Sequence, residues 1–263
     1  MLHALQAACG DDDAARSKMA HPLFMEAINA LVQWQSAFKT HAITTNLAAN
    51  PPAYDEVRLR GELQLFLDFY VVQYRNMALS TAQQKIVASA FDLIVAKNLD
   101  QAQAFVQGNF VPRNLMFDAA TAKLDLTIFS EATIYYCGPI SYDIAALFKD
   151  AAIAWREEQI LDWTIRYWEH ARKAKLPVPA DFSAFYADCE WMALQRHLTV
   201  LGKLARAQDG AATLENATEN SKAMQHFMAY VRHTCDRYRA LGPLLAVIDF
   251  IESTAPADVA YSF

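Results

Sequence analysis

Apolar residues recur at helical spacing over most of this chain. Leu23, Ala27, Leu31, Trp34 and Phe38 fall near one face and predict a helix from Leu23 to Phe38. Ahead of it, Met1 to Ala8 reads as a helix end or a fray, and Gly10 to Asp13 as a polar break. Asn50-Pro51-Pro52-Ala53 reads as a loop. Asp55 is placed to cap the next helix, whose apolar face carries Leu59, Leu63, Phe66, Phe69, Tyr70 and Tyr74. Ser80 and Gln83 have capping-box spacing and open a helix with Ile86, Val87, Ala90, Phe91, Ile94 and Val95. Further helices are predicted over Tyr142–Trp155, Ile160–His170, Phe182–Leu204 and Ala223–Leu241, with a short apolar run from Leu244 to Ile251. Between them, Lys175 to Ala180 reads as a linker and Gln208 to Asn220 as an exposed polar loop.

Phe105 to Leu147 breaks the helical rhythm. It reads as loop, strand, turn, strand and loop before a new helix. Leu115-Met116-Phe117 is a short apolar run, Asp118 to Thr121 a turn, and Leu124 to Phe129 a return strand. The expected fold is therefore mainly α (α+β), with one small β-hairpin around Leu115–Phe117 and Leu124–Phe129. The same stretch collects polar residues that look placed rather than solvated: Gln107, Asn109, Arg113, Asn114, Glu131 and Asp143.

Composition narrows the class. Of 263 residues, 54% are hydrophobic and 20% charged, which predicts a folded globular chain. A net charge of -6 gives no electrostatic footprint for nucleic acid. Cys9, Cys137, Cys189 and Cys235 form no C-x-x-C and read as free buried thiols in a reducing compartment. No apolar run reaches transmembrane length, and the first residues lack the basic start and apolar core of a signal peptide. The expectation is a cytoplasmic protein without membrane contact. The histidines show no metal-ligand spacing, and no G-x-S-x-G nucleophile motif occurs.

Gln107-Gly-Asn109-Phe-Val-Pro-Arg113-Asn114-Leu-Met116 and Gly138-Pro-Ile-Ser-Tyr-Asp143 resemble the catalytic core of the aminoglycoside phosphotransferase family. These are small-molecule kinases of protein-kinase-like fold. The closer resemblance is to their bacterial N-acetylmuramate/N-acetylglucosamine anomeric sugar kinases, whose loop reads roughly H-R-D-[FY]-x-x-R-N-L-M. Trp191 to Gly202, Pro52 to Asp55 and Glu62 to Phe66 resemble that group as well, so the likeness spans most of the chain.

The resemblance implies ATP and Mg2+ as cofactors and a small-molecule sugar as substrate. It implies a protein-kinase-like C-terminal lobe over residues 1–263, with 1–22 a possible remnant of a connection to a small lobe. The departures fall on the chemistry. The family's catalytic-loop histidine is Gln107 here, and its catalytic aspartate is Asn109. Asn114 keeps its identity as a magnesium ligand. Counting back from Gly138 puts Glu131 at the metal-binding acid, an insertion of one would put Ser130 there, and Asp125 is a third candidate. Arg113 and Asp143 are assigned to structural support, Asp143 as the acid that holds the catalytic-loop amides.

A nucleotide-binding small lobe would need alternating strands, a glycine-rich loop and a strand lysine. Before Gly108 the chain has only Gly10 and Gly61, and no lysine in a V-A-I-K-like strand. Either that lobe is lost or the gene product is truncated. The expected function is a phosphotransferase-family protein resembling an ATP-dependent cell-wall sugar kinase, inactive or severely impaired as this chain, with Asn109→Asp alone insufficient to restore it. The alternative is a non-catalytic pseudokinase that binds a ligand or partner. Asn109 and Asn114 have an equally open structural reading as caps of loop amides. Arg113 is read as a brace pairing with a carboxylate, and Arg196-His197 as a satisfied buried pair. An uncovered lobe face predicts an apolar patch near Asn109, covered by self-association or by a partner.

Overall fold

The computed structural model describes residues 13–41, 51–118, 121, 123–125, 135–150, 153, 155–208, 210 and 213–253. These are mainly helical. The helices are α1 (Asp13–His41), α2 (Glu56–Leu65), α3 (Thr81–Leu99), α4 (Tyr142–Phe148), α5 (Glu157–Lys173), α6 (Phe182–Gln208), α7 (Leu214–Arg237) and α8 (Gly242–Ser253). A π-helix over Phe66–Tyr74 continues α2 directly. The two strands β1 (Gln103–Val106) and β2 (Tyr136–Pro139) pair antiparallel, with Ala104 opposite Gly138 and Phe105 opposite Cys137. Two compact units are formed, one from Met1–Tyr54 with Gln101–Cys189, the other from Asp55–Asp100 with Glu190–Phe263.

The small sheet is not the predicted hairpin. Among the described residues, Phe117 and Leu124 make a single antiparallel bridge, flanked by Asp118 N–H to Lys123 O at 2.9 Å and Asp125 N–H to Met116 O at 2.8 Å. The remainder of the predicted return strand, 126–129, lies outside the described residues. The paired strands sit where the sequence reads as loop. β1 is four residues long with no period-two alternation in burial, too short for periodicity to mark it. β2 carries Gly138 and Pro139, residues that signal turns. Gly138 is there for space, since a Cβ on it would come within 2.8 Å of the Tyr54 Cβ.

In the first unit, α1 packs against α5 and β1, and α4 against α5. Its core is aromatic. Phe24 stacks on Trp163 at 4.1 Å between ring centroids, and Trp155 stands edge-on to both at 5.6 and 5.1 Å. Burying a side chain as completely as Phe24 contributes about 1.5–3 kcal/mol over leaving it in water. The predicted start of α1 after Pro22 gives way to a helix that passes through the proline. Ala20 and Phe24 are both fully buried on either side of it, and that packing outweighs one lost backbone hydrogen bond. α4 stops at Phe148, short of the predicted Trp155. Lys149 closes it: its amide still donates to the Ala145 carbonyl, but its own φ/ψ of -117°/41° leave the helical region. Its ammonium lies over the Tyr186 ring, and the next residue, Asp150, pairs with Arg113.

In the second unit, Asp55 caps α2 by accepting from the Arg58 amide, and both arms of the Ser80–Gln83 capping box are made at the start of α3. Gln195 on α6 donates to the Leu59 carbonyl at 3.0 Å. Arg75 donates to the Ile251 carbonyl, and Tyr70 to Glu252, which tie the π-helix to α8. Glu190 is buried and accepts from Arg237 at 2.8 Å and from the Tyr238 hydroxyl at 2.7 Å. The predicted loop over Gln208–Asn220 is helical from Leu214 onward. Thr213 caps it by accepting from the Asn216 amide, and the following polar side chains lie mainly toward solvent.

Candidate active site

The loop from Gln107 to Asn114 leaves the end of β1 and closes with a 3₁₀ turn at Pro112–Asn114. Its first two amides are fixed by one side chain. Gln107 N–H donates to Asp143 Oδ2 at 2.8 Å, and Gly108 N–H to Asp143 Oδ1 at 3.0 Å. Asp143 is fully buried in the first turn of α4. Gly108 meets it with φ of 84°, a conformation that only glycine takes without strain.

The turn then builds on itself. The Gln107 side chain, 5% exposed, accepts the Asn109 amide on Oε1 at 2.8 Å. The Asn109 carbonyl accepts from the Val111 amide at 2.9 Å and from Asn114 Nδ2 at 3.0 Å. Phe110, Val111, Pro112 and Leu115 turn inward and are buried. Asn109 is thereby left exposed on a backbone held at both its N–H and its C=O. Met116 is the exposed large apolar side chain here, at 66%. Arg113, itself exposed, reaches the buried Asp150 carboxylate at 3.6 Å.

Behind the loop lies a buried relay that periodicity does not reveal. The Tyr167 hydroxyl on α5 donates to Gln35 Oε1 at 2.8 Å, and Gln35 Nε2 on α1 donates to the Phe105 carbonyl at 3.2 Å. Burial first, then the charges of Cys189 and Asp143, hold the Tyr167 hydroxyl well above the usual tyrosine range. Ser141, two residues ahead of Asp143, donates to Gln101 Oε1 at 2.5 Å, and Gln101 Nε2 donates to the Asp188 carbonyl at 3.0 Å. Gln35, Gln101, Ser141 and Tyr167 therefore position the strand and helix that carry the loop. Tyr167 could have been found from sequence, because a tyrosine inside a buried aromatic run needs a partner for its hydroxyl.

The structure thus brings Gln107, Asn109, Asn114 and Asp143 together, with Arg113 at the rim. Glu131 and Ser130 lie outside the described residues. Asp125 sits exposed beside the Phe117–Leu124 bridge. For magnesium, the donor that the described residues of this loop offer is the Asn114 carboxamide oxygen, whose nitrogen is already spent on the Asn109 carbonyl. One protein oxygen suits an ion that keeps several waters and takes most other ligands from phosphates. Among the described residues, no three His, Cys, Asp or Glu side chains gather as a metal cluster, and no helix is long and apolar enough to cross a membrane.

No protein-family model matches the chain. Individual proteins do. Over 243 residues, 92% of this chain and 67% of the other, it is 34% identical to an N-acetylmuramate/N-acetylglucosamine kinase of Neisseria meningitidis serogroup B. A protein of the same name from Pseudomonas putida is 31% identical over 93% of this chain and 67% of its own length. One from Pseudomonas aeruginosa is 36% identical over 71% of this chain and 52% of its own length. The chain spans about two thirds of the length of the first two, and the matched span takes in the loop, its Asp143 anchor and both units. With that coverage and identity, the chain belongs to the family of N-acetylmuramate/N-acetylglucosamine kinases.

Proposed function

We propose that this chain carries the large, C-terminal-lobe portion of an amino-sugar kinase in which the contact to the sugar hydroxyl is kept and proton acceptance is lost. The observation that carries the reading is Asn109, exposed on a loop whose backbone is pinned on both sides. A carboxamide there can donate to and accept from a sugar hydroxyl, but it is too weak a base to take the hydroxyl proton. General acid–base assistance is worth about 10²–10⁴-fold in rate. The substrate class is N-acetylglucosamine and N-acetylmuramate, and the phosphate donor is ATP.

Each loop residue then has a role. Gln107 shapes the loop through the Asn109 amide. Asp143 holds the loop's first two amides, and Arg113 braces its rim against Asp150. Asn114 and Glu131 are the residues that would hold magnesium, which when bound neutralises charge on the transferring phosphate.

The test is phosphate transfer from labelled ATP with magnesium to the two sugars, together with sugar binding followed by NMR. The expected result is saturable sugar binding that Asn109→Ala weakens, with transfer at least about 10²-fold below that of a relative assayed alongside. Turnover equal to the relative's, abolished by Asn114→Ala, would overturn the reading. So would the absence of sugar binding.

A further inference from the structure

The second unit contains a cavity of about 620 Å³ between the α2–π-helix segment and α3. That volume lies within the range of about 300–1,000 Å³ typical of small-molecule sites. Its walls follow from helical spacing. On α3 the lining positions are Gln84, Val87, Ala88, Phe91 and Asp92, a single face at intervals of three and four. On the opposite wall, Leu67, Val71 and Val72 come from the π-helix. The wider π-turn sends Phe66, Tyr70 and Tyr74 into a separate ring column, with centroids 5.3 and 5.6 Å apart.

Floor and rim differ sharply in chemistry. Val71, Val87 and Phe91 form a buried apolar floor. Met77 and Leu79 close one end, on a connection held by the Met77 amide donating to the Val71 carbonyl at 3.0 Å. Around the mouth stand Asp68, Asp92 and Arg60. Arg60 is already committed to carboxylates, donating to Asp92 at 2.7 Å and to Glu56 at 2.7 Å. Asp68 takes only the neutral Gln64 amide, at 2.8 Å. The rim therefore carries an excess of negative charge above an apolar cavity.

We propose that this cavity binds a small amphipathic cation, an apolar body carrying a protonated amine, with the body on Val71, Val87 and Phe91 and the amine against Asp68 and Asp92. Charge complementarity selects this ligand over an acid of the same shape. The site lies wholly within the second unit and uses none of the loop residues assigned to phosphate transfer, so it stands or falls independently of the proposed kinase activity.

The probes are decylamine, decanol and decanoate, compared below their micelle concentrations by calorimetry and by NMR of the full chain. Decylamine is expected to bind saturably at one site and at least tenfold more tightly than decanoate, with decanol between them. Asp68→Lys, at an exposed position, is expected to weaken decylamine at least fivefold and to strengthen decanoate. Ala88→Trp, which fills the cavity from an exposed helical position, is expected to abolish binding of all three while leaving the circular dichroism spectrum unchanged. Absence of saturable decylamine binding overturns the proposal. So does decanoate binding as tightly as the amine, or decylamine binding that Ala88→Trp does not disturb. Sedimentation showing a dimer that Ala88→Trp dissociates would assign the cavity to a second copy of this chain and overturn it equally.

Discussion

The backbone amide of Gln107 donates to Oδ2 of Asp143 at 2.8 Å, across 36 positions of sequence. The other oxygen of the same carboxylate takes the Gly108 amide. One buried side chain thereby sets the direction in which the chain leaves β1. Asp143→Ala removes the acceptor for both amides, and each buried donor left unmade costs about 1–3 kcal/mol. The expected loss is about 2–5 kcal/mol in urea unfolding. Asp143→Asn keeps one acceptor but turns an NH₂ toward the second amide, so it is expected to cost about 1–3 kcal/mol rather than nothing. An unchanged midpoint for Asp143→Asn would show that the carboxylate is not needed as a double acceptor.

Tyr167 and Gln35 make a second buried connection, from α5 through α1 to the Phe105 carbonyl on β1. Tyr167→Phe leaves the ring stacked on Phe185 and removes only the hydroxyl. The Gln35 oxygen then loses its donor in a buried site. The expected destabilisation is about 1–2 kcal/mol, accompanied by faster hydrogen exchange in β1. A Tyr167→Phe variant with wild-type stability would mean that Gln35 finds another donor there.

Alkaline stability offers a test with a definite sign. Burial pushes the Cys235 thiol up to about 12, with Arg232 opposing the shift. An unfolded chain releases that proton near pH 8.5. A raised folded value means stability that is complete below the unfolded value and falls as pH rises toward the folded one. Between about pH 8.5 and 12 this group should therefore lower stability with a slope of up to about 1.4 kcal/mol per pH unit. Buried Tyr167 and Tyr70 shift the same way but begin to contribute only above about pH 10. Cys235→Ala is expected to start less stable at pH 7, since it removes a buried sulfur, and to decline less between pH 8.5 and 10. Parallel decline in both proteins would show that Cys235 does not keep its proton in the folded state.

What the sequence disclosed followed the strength of each local signal. The Asp55 cap and the Ser80–Gln83 capping box are made as read, because cap chemistry is decided within four residues. The helices from α2 through α8 were legible in kind, while their ends were set by partners far along the chain. α4 ends at Phe148, where Lys149 leaves the helical region and Lys149 and Asp150 lie against Tyr186 and Arg113, 37 residues away in either direction. The strands of the sheet were hidden because four residues carry too little pattern, and Gly138 is a glycine for reasons that reside on Tyr54. At the site, Gln107, Asn109 and Asn114 stand out as polar residues in an apolar run. The residues that position them, Gln35, Gln101 and Tyr167, are buried polar groups satisfied across 40 to 132 positions of sequence. Nothing local marks such pairs.

The same dependence on distant partners makes Gly202 a strong test of the second unit. It sits in α6, where a Cβ would approach the Leu65 carbonyl carbon and oxygen to 2.4 Å and the Phe66 nitrogen to 2.7 Å. Those are backbone atoms at the junction where α2 passes into the π-helix, so no rotamer change can relieve the clash. Gly202→Ala would ordinarily favour a helix by about 1 kcal/mol. Here the added methyl must push two helices apart, and overpacking typically costs about 1–3 kcal/mol, occasionally more. The buried contact from Gln195 on α6 to the Leu59 carbonyl on α2 resists that movement. The expected net effect is a loss of about 1–3 kcal/mol in thermal or urea unfolding, with Gly61→Ala as the control. Gly61 lies in α2 with open space around it, and its substitution is expected to stabilise by about 0.4–1 kcal/mol. If Gly202→Ala instead stabilised the protein as Gly61→Ala does, the close approach of α6 to the start of the π-helix would be disproved.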